Sequence, residues 1–454
     1  MVEQLPDHVA VTDRPDRFGL RVHDSELWMD GVPLSRIAAE HGTPTYAYAA
    51  SEIEARFDAL AQAVGQHPTT LCYAVKANGA LAVLRLLARR GAGADIVSGG
   101  ELTRALRAGI PADKIVFSGV GKSNAELDAA ITAGLRSINL ESVEELEQVS
   151  ARARALGRQA TVSLRVNPDI DPETHPYLAT GLQQAKFGIA MADAPTVARR
   201  AHADPHVTLR GIGCHIGSQI TSARPFVDSI KRLRGLWEGL AAEGVELPQL
   251  DLGGGMGIPY RAEDPDLDVR AWGRAVDEAT AGLPVELVLE PGRFLVGNAG
   301  VLLTRVLGRK QGEAQTDGPG DARRGPPKKR FVIVDAAMND LVRPALYEAY
   351  HIITPVSVPE RDAATEEVDV VGPVCESGDF LALARTMPIT EPGQVLAVLS
   401  AGAYGMSMAS NYNTRPLPAE VLVAGEHVDV LRPRQTVDEL LAAERMPAWL
   451  ADRS

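Results

Sequence analysis

The chain has 454 residues, 45% of them hydrophobic and 23% charged, the composition of an ordinary globular protein long enough for two hydrophobic cores. Its 46 basic and 59 acidic residues leave a net charge of -13, which argues against nucleic acid or an anionic membrane as partner, because both demand a basic face. Three cysteines, Cys72, Cys214 and Cys375, make no disulfide framework and suit a reducing compartment; with no signal-like N-terminus and no apolar run of about 18 residues, a cytoplasmic protein without a membrane segment is expected. No His/Cys cluster suggests a metal.

In chain order, the first 44 residues carry no regular rhythm. A helix is expected from Ser51, where Ser-Glu-Ile-Glu forms a capping box and Ile53, Phe57, Leu60 and Val64 recur on one face. From Leu71 to Pro291 one pattern repeats: a short β-rich apolar run, a polar or Gly-rich turn, then a segment of helical period. The runs are LCYAV (71 to 75), ADIV (94 to 97), KIVFS (114 to 118), SINL (137 to 140), TVSLRV (161 to 166), LRGIGCHI (209 to 216), QLDL (249 to 252) and ELVLE (286 to 290). Eight strands alternating with helices predict a (β/α)8 TIM-like barrel with its active site at the strands' C-terminal ends. Lys76, Ser98, Glu141, Asn167, His215, Gly253 to Gly255 and Glu290 stand at or just beyond those ends.

After Gly300 the rhythm changes to short runs such as FVIVDAA, EVDVVGPV, VLAVLSAG, EVLVAG and HVDVL, which predict a second, mainly antiparallel β domain. The expected division is a barrel over 45–300 and a β domain from 1–44 and 301–454. The polar, Gly/Pro-rich stretch 311–330 is expected to be a flexible surface loop.

Lys76, placed by an apolar strand at the barrel mouth, is suited to bond an aldehyde cofactor if desolvation lowers its pKa; a solvated strand cap is the plain alternative. The turn Gly253-Gly254-Gly255 can turn backbone N–H groups onto a phosphate. Glu290 can keep a pyridine nitrogen protonated, or simply pair with Arg293. His215 can stack on a ring or be structural. SGVGKS (118 to 123) imitates the tail of a phosphate-binding loop, but Val116 stands where the first glycine belongs. In CESGD, Cys375 can donate a proton or be a buried small side chain.

CYAVKAN, RVNP, KFG, GCHIGSQI, GGGMGIPY, EPGR, MNDLVRPALY, CESGD and AGAYG follow one another in an order that resembles the alanine-racemase-like pyridoxal phosphate decarboxylases, from about residue 40 to about 430. Within that group the motifs are most similar to the diaminopimelate decarboxylase family, since CESGD differs from the CDxxD of the ornithine-type enzymes. The resemblance implies pyridoxal 5'-phosphate as cofactor and conversion of meso-2,6-diaminopimelate to L-lysine and CO2, the last step of lysine biosynthesis. Lys76 would then hold the cofactor aldehyde, His215 stack on its ring and Glu290 face its ring nitrogen. Asp95, Ser98 and Ser218 would line the cofactor pocket, and Gly254, Gly255, Gly292, Arg293 and Tyr404 would hold the phosphate. Arg293, Arg343, Tyr347, Glu376 and Tyr404 would contact the substrate. Cys375 would be the general acid, supplied by the neighbouring subunit of a homodimer with shared sites.

Rival readings are a decarboxylase of another basic amino acid, a racemase, and a non-catalytic cofactor-binding relative; the last two fit poorly with CESGD and with the presence of Lys76 and Cys375. One departure from the family pattern is Ala337, where glycine is usual; at positive φ, alanine would cost roughly 1 kcal/mol.

Overall fold

The computed structural model describes residues 7–170, 186–312 and 329–450. They divide into two compact units, one comprising Ala50–Pro259 and Glu263–Ala299, the other the chain through Ala49, Tyr260–Ala262 and the chain from Gly300.

The first unit is a closed parallel barrel. Its strands are Thr69–Ala74, Gly93–Ile96, Ile115–Phe117, Ser137–Leu140, Ala160–Asn167, Val207–Gly213, Gln249–Asp251 and Glu286–Leu289, each expected from the sequence. Each pairs in parallel with the next, and the eighth closes on the first through Leu287 to Leu289 against Thr69 to Leu71. A two-residue strand, Ile189–Ala190, adds to the fifth strand. The barrel strands read as nearly continuous apolar runs because they are buried on both faces.

At the starts of the strands the barrel is plugged by polar side chains. Arg136 pairs with Glu286 and donates to Gln249 Oε1 at 3.0 Å, and Thr70 donates to Glu286 at 2.8 Å. Outside, the helix Ala50–Ala63 buries Ile53, Phe57 and Leu60; it starts one residue before Ser51, which therefore sits in the first turn and does not cap it. Three other serines do cap. Ser98, Ser123 and Ser142 each accept the N–H of a glutamate three residues on, so Ser-x-x-Glu starts the helices after the second, third and fourth strands.

Lys122 of SGVGKS is a structural tie. Its buried Nζ donates to Gly119 O at 2.7 Å, Asn139 O at 2.9 Å and Glu145 Oε1 at 2.8 Å, which uses all three ammonium protons.

The second unit holds a mixed sheet in the order Phe380–Pro388, Thr365–Val371, Lys329–Val334, Gly300–Gly312, Thr45–Ala49, Ala419–Ala424, His427–Arg432. Two of these pairs are parallel, Lys329–Val334 with Thr365–Val371 and Ala419–Ala424 with Thr45–Ala49; the others are antiparallel. Gly300–Gly312, a 13-residue strand, joins the two halves and was not among the runs read from the sequence. Ile353–Pro355 and Val395–Val398 pair beside it. Of the loop expected over 311–330, residues 313–328 lie outside the described part, while Gln311, Gly312, Lys329 and Arg330 are paired strand residues. Ala337 is not among the positive-φ residues, so the left-handed strain considered for it does not arise. No helix of the described residues is long and apolar enough to cross a membrane.

Removing the Lys122 ammonium strands the Glu145 carboxylate in the interior. Lys122→Ala is expected to lower the unfolding free energy by about 3 kcal/mol or more, measured by urea denaturation; a loss below about 1 kcal/mol, the size of an exposed pair, would show that the tie is not a buried one.

Candidate active site

The first barrel strand ends at Ala74 and a single 3-10 turn, Val75–Ala77, carries Lys76 out of it. Lys76 Nζ lies 3.3 Å from Asp95 Oδ2, on the next strand. Asp95 is buried, and its Oδ1 has no hydrogen-bond partner among the described residues. A buried oxygen without a partner is costly and marks a place where a ligand is at home.

Across the ring, Glu290 follows the eighth strand. Ser118 Oγ donates to its Oε1 at 3.3 Å, and Asn139 Nδ2 reaches Ser118 at 3.1 Å and Glu290 at 3.5 Å. Burial pushes the Glu290 carboxyl well above the ordinary carboxylate range, and the neighbouring charges of Asp251 and Asp95 push it further. Asp251, the last residue of the seventh strand, is raised from 3.8 to about 6, chiefly by burial and against the Gly253 N–H that donates to its Oδ1 at 2.9 Å. Three carboxyl groups thus share the strand ends with Lys76 and Arg165, and a small cavity is lined by Ser118, Asn139, Arg165, His215, Asp251 and Glu290.

His215 follows the sixth strand. Its Nδ1 accepts the N–H of Gly254 at 3.1 Å, which leaves the ring proton on Nε2. Burial, with Arg165 and Lys76 nearby, holds its pKa well below 6.5, so the ring is neutral. The glycine turn after the seventh strand is dictated by close approach. Gly253 and Gly255 have φ of 66° and 102°, and a Cβ on Gly254 or Gly255 would strike the carbonyl of Glu290 or of Gly217. Arg293 Nη2 donates to Ser218 Oγ at 3.0 Å, and Arg293 opens the short helix after Gly292. Glu141 ties the rim, accepting from Arg165 at 2.9 Å and from the N–H groups of Gly119 and Gly188.

The barrel therefore brings together Lys76, Asp95, His215, Gly254, Gly255 and Glu290. Ser98 is held as a helix cap. Asp251, Asn139, Ser118 and Arg165 were missed as site residues; the signal for them is a polar side chain inside or at the end of an otherwise apolar, doubly buried strand.

The other expected residues belong to the β unit. Asp379 folds CESGD into a tight loop by accepting the N–H groups of Val374 and Met338, both at 2.7 Å. The loop leaves Cys375 and Glu376 exposed, which overturns the alternative of a buried small side chain for Cys375. Arg343 is buried at the start of the helix Arg343–Tyr347, with Tyr347 half-buried at its end. Tyr404 is held at φ 57°, a left-handed conformation that a tyrosine rarely adopts without a reason in its surroundings.

These residues fit pyridoxal phosphate. The glycine turn lets backbone approach a ligand where no Cβ fits, Glu290 is a buried carboxyl with a raised pKa that can share a proton with a basic ring nitrogen, and Asp95 has an unsatisfied buried oxygen beside the lysine.

Because Asp251 has its folded pKa above its unfolded one, the folded state binds more protons across the window from 3.8 to about 6, and this group's contribution to stability is lost as pH rises through it. Relative to Asp251→Asn, the cofactor-free wild type is expected to lose on the order of 3 kcal/mol of unfolding free energy between pH 4 and pH 7. Urea unfolding at a series of pH values measures this; equal pH slopes for the two proteins would show that Asp251 does not titrate there.

Residues 50–297 match the family described as "Pyridoxal-dependent decarboxylase, pyridoxal binding domain". The chain is 51% identical over 431 residues to a diaminopimelate decarboxylase of Pseudomonas aeruginosa, covering 95% of this chain and 99% of that one. It is 48% identical over 419 residues to the diaminopimelate decarboxylase of Neisseria meningitidis serogroup A, covering 92% and 98%. Among solved structures, diaminopimelate decarboxylase from M. jannaschii in complex with L-lysine matches with a TM-score of 0.87 at 35% identity, over 95% of this chain and 99% of that one. With a pyridoxal-binding family match over more than half its length and relatives of this identity along nearly all of it, the chain belongs to the diaminopimelate decarboxylase family of pyridoxal-dependent decarboxylases.

Proposed function

We propose that the protein decarboxylates meso-2,6-diaminopimelate to L-lysine and CO2, the last step of lysine biosynthesis, with pyridoxal 5'-phosphate as cofactor. The observation that carries this reading is Lys76 beside buried Asp95, on the same ring of strand ends as the buried Glu290 carboxyl, in a chain 51% identical to a relative of that name.

Lys76 would hold the cofactor through its amine, in a pocket to which Asp95, Ser98 and Ser218 also belong. The turn at Gly254 and Gly255, the backbone of Gly292 and Arg293, and Tyr404 would hold its phosphate. When bound, the group supplies an electron sink for the pair of electrons left on the α-carbon as CO2 departs. Glu290, whose buried carboxyl has its pKa raised, would serve that chemistry by sharing a proton with the ring nitrogen. His215, neutral and fixed as the Nε2–H form by Gly254, offers a flat, uncharged face for stacking. Asp95 keeps the Lys76 amine oriented at the mouth.

Arg293 and Arg343 would receive the substrate's distal carboxylate, since a planar fork of donors suits a carboxylate. Glu376 suits the distal ammonium, and Tyr347 and Tyr404 complete the substrate contacts. Cys375 would return a proton to the α-carbon. Its exposure on the CESGD loop supports a site shared between the subunits of a homodimer. Three free cysteines suit a reducing compartment and support a cytoplasmic location.

The direct test is CO2 release by the purified protein with added pyridoxal phosphate, from meso-diaminopimelate alongside lysine, ornithine and arginine. Release from diaminopimelate alone, with lysine formed, is the expected outcome; release from another amino acid would reassign the distal pocket. Cys375→Ala and Lys76→Ala are each expected to be inactive, while mixed subunits of the two recover up to about a quarter of wild-type activity, because half the random dimers hold one intact site of two. No recovery from the mixture would place both residues in one subunit's site.

A further inference from the structure

Arg343 does not stand alone in the β unit. Its guanidinium lies 4.8 Å above the ring of Tyr260, its Nη1 is 2.9 Å from His351 Nε2, and the rings of Tyr260 and His351 meet edge to face at 5.3 Å. A guanidinium can only donate, so His351 Nε2 must be the acceptor and must carry a lone pair. The ring proton then sits on Nδ1, and the structure gives it a receiver: Leu399 O at 2.8 Å. Each nitrogen of the imidazole thus has one role, set by a donor that cannot lose its protons on one side and a main-chain carbonyl on the other.

His351 is itself fixed on its main chain. Its carbonyl accepts from Arg385 Nη1 at 2.7 Å, and the same nitrogen reaches Asp7 Oδ2 at 2.6 Å. Tyr350, under the Arg385 guanidinium at 3.6 Å, donates to Asp7 Oδ1 at 2.6 Å. Leu399 is tied by its own N–H to Ile352 O at 2.9 Å. His351 is completely buried. A neutral imidazole that accepts from an arginine gains nothing from charge pairing; what it supplies is direction, holding one edge of the planar fork so that its remaining donors face a fixed way.

We infer that His351 is a positioning residue for Arg343, orienting the guanidinium for the distal carboxylate and thereby contributing to selection of a substrate that carries one; this rests on the proposed function, in which Arg343 receives that group. Misdirecting a bidentate donor weakens recognition of its carboxylate and leaves groups at the other end of the ligand untouched.

The test compares His351→Leu, His351→Gln, Arg343→Ala and the Arg343→Ala/His351→Leu double variant as holoenzymes. Steady-state kinetics use meso-diaminopimelate, with binding of L-lysine, which retains one carboxylate, and of cadaverine, which has the same five carbons and two amines but no carboxylate. His351→Leu is expected to raise KM and the L-lysine dissociation constant roughly 10- to 100-fold, with kcat and cadaverine affinity changed by less than about threefold and the cofactor's visible absorbance unchanged. His351→Gln, which keeps an acceptor for Nη1, recovers most of the loss, and the double variant is no worse than Arg343→Ala. An unchanged KM in His351→Leu, with a raised one in Arg343→Ala, overturns the inference and leaves the proposed function standing. Equal weakening of lysine and cadaverine in His351→Leu also overturns it, since that is the mark of a merely structural residue. An unchanged KM in Arg343→Ala would instead remove the assignment on which the inference rests.

Discussion

The burial of three carboxyl groups at one end of a parallel barrel is the constraint around which the site is organised. Asp95 lies one residue before the end of the second strand, Asp251 ends the seventh and Glu290 follows the eighth, and a ring of strands brings such positions together whatever their separation in the chain. So much acid in a buried space cannot all be ionised, because the like charges and the lost hydration both favour the protonated form. The result is a lysine paired with one carboxyl group, Asp95, and a second, Glu290, whose pKa is pushed well up by burial and by its acidic neighbours. The neutral state of His215 follows from burial, with Arg165 and Lys76 discouraging a third cation.

Backbone geometry supports this arrangement. The Asp251 carboxylate holds the N–H of Gly253, and Gly253 O receives the N–H of Glu290 at 2.7 Å, so the glycine turn and the acidic strand end are fixed by each other. The absence of Cβ atoms at Gly254 and Gly255 is therefore a packing requirement of the fold itself, since a Cβ there would strike the carbonyls of Glu290 and Gly217. At the opposite end, Arg136, Glu286 and Gln249 close the barrel with paired groups. Polar residues thus occur at both ends of the strands, and only those at the C-terminal end have strongly shifted ionisation or a buried oxygen without a partner.

The β unit uses a different device. Its functional side chains are held by loops and short helices: CESGD is folded by Asp379, and Arg343 is held by Tyr260 and His351. Asp379 has its own pKa raised, mainly by burial, yet its two oxygens are occupied by main-chain N–H groups, which makes it a fold-forming residue. Cys375 and Glu376 are presented by the loop and are not enclosed by it.

The sequence by itself determined the eight barrel strands, because each is a short apolar run buried on both faces and punctuated by turn residues, a signal that needs no distant partner. It also determined Lys76, His215, the glycine turn and Glu290 as a group, because the (β/α)8 rhythm converts "just after a strand" into "at one mouth". It did not reveal the long strand Gly300–Gly312, whose tail, Arg309 to Gln311, is a run of exposed polar residues, nor the start of the helix Ala50–Ala63 at Ala50 in place of Ser51. Only the tertiary structure decided the raised pKa values of Glu290 and Asp251, the tautomers of His215 and His351, the role of Lys122 as a structural tie, and the setting of Arg343. These depend on burial, which is not written in any local stretch of chain, and most of them also on contacts between residues tens to hundreds of positions apart.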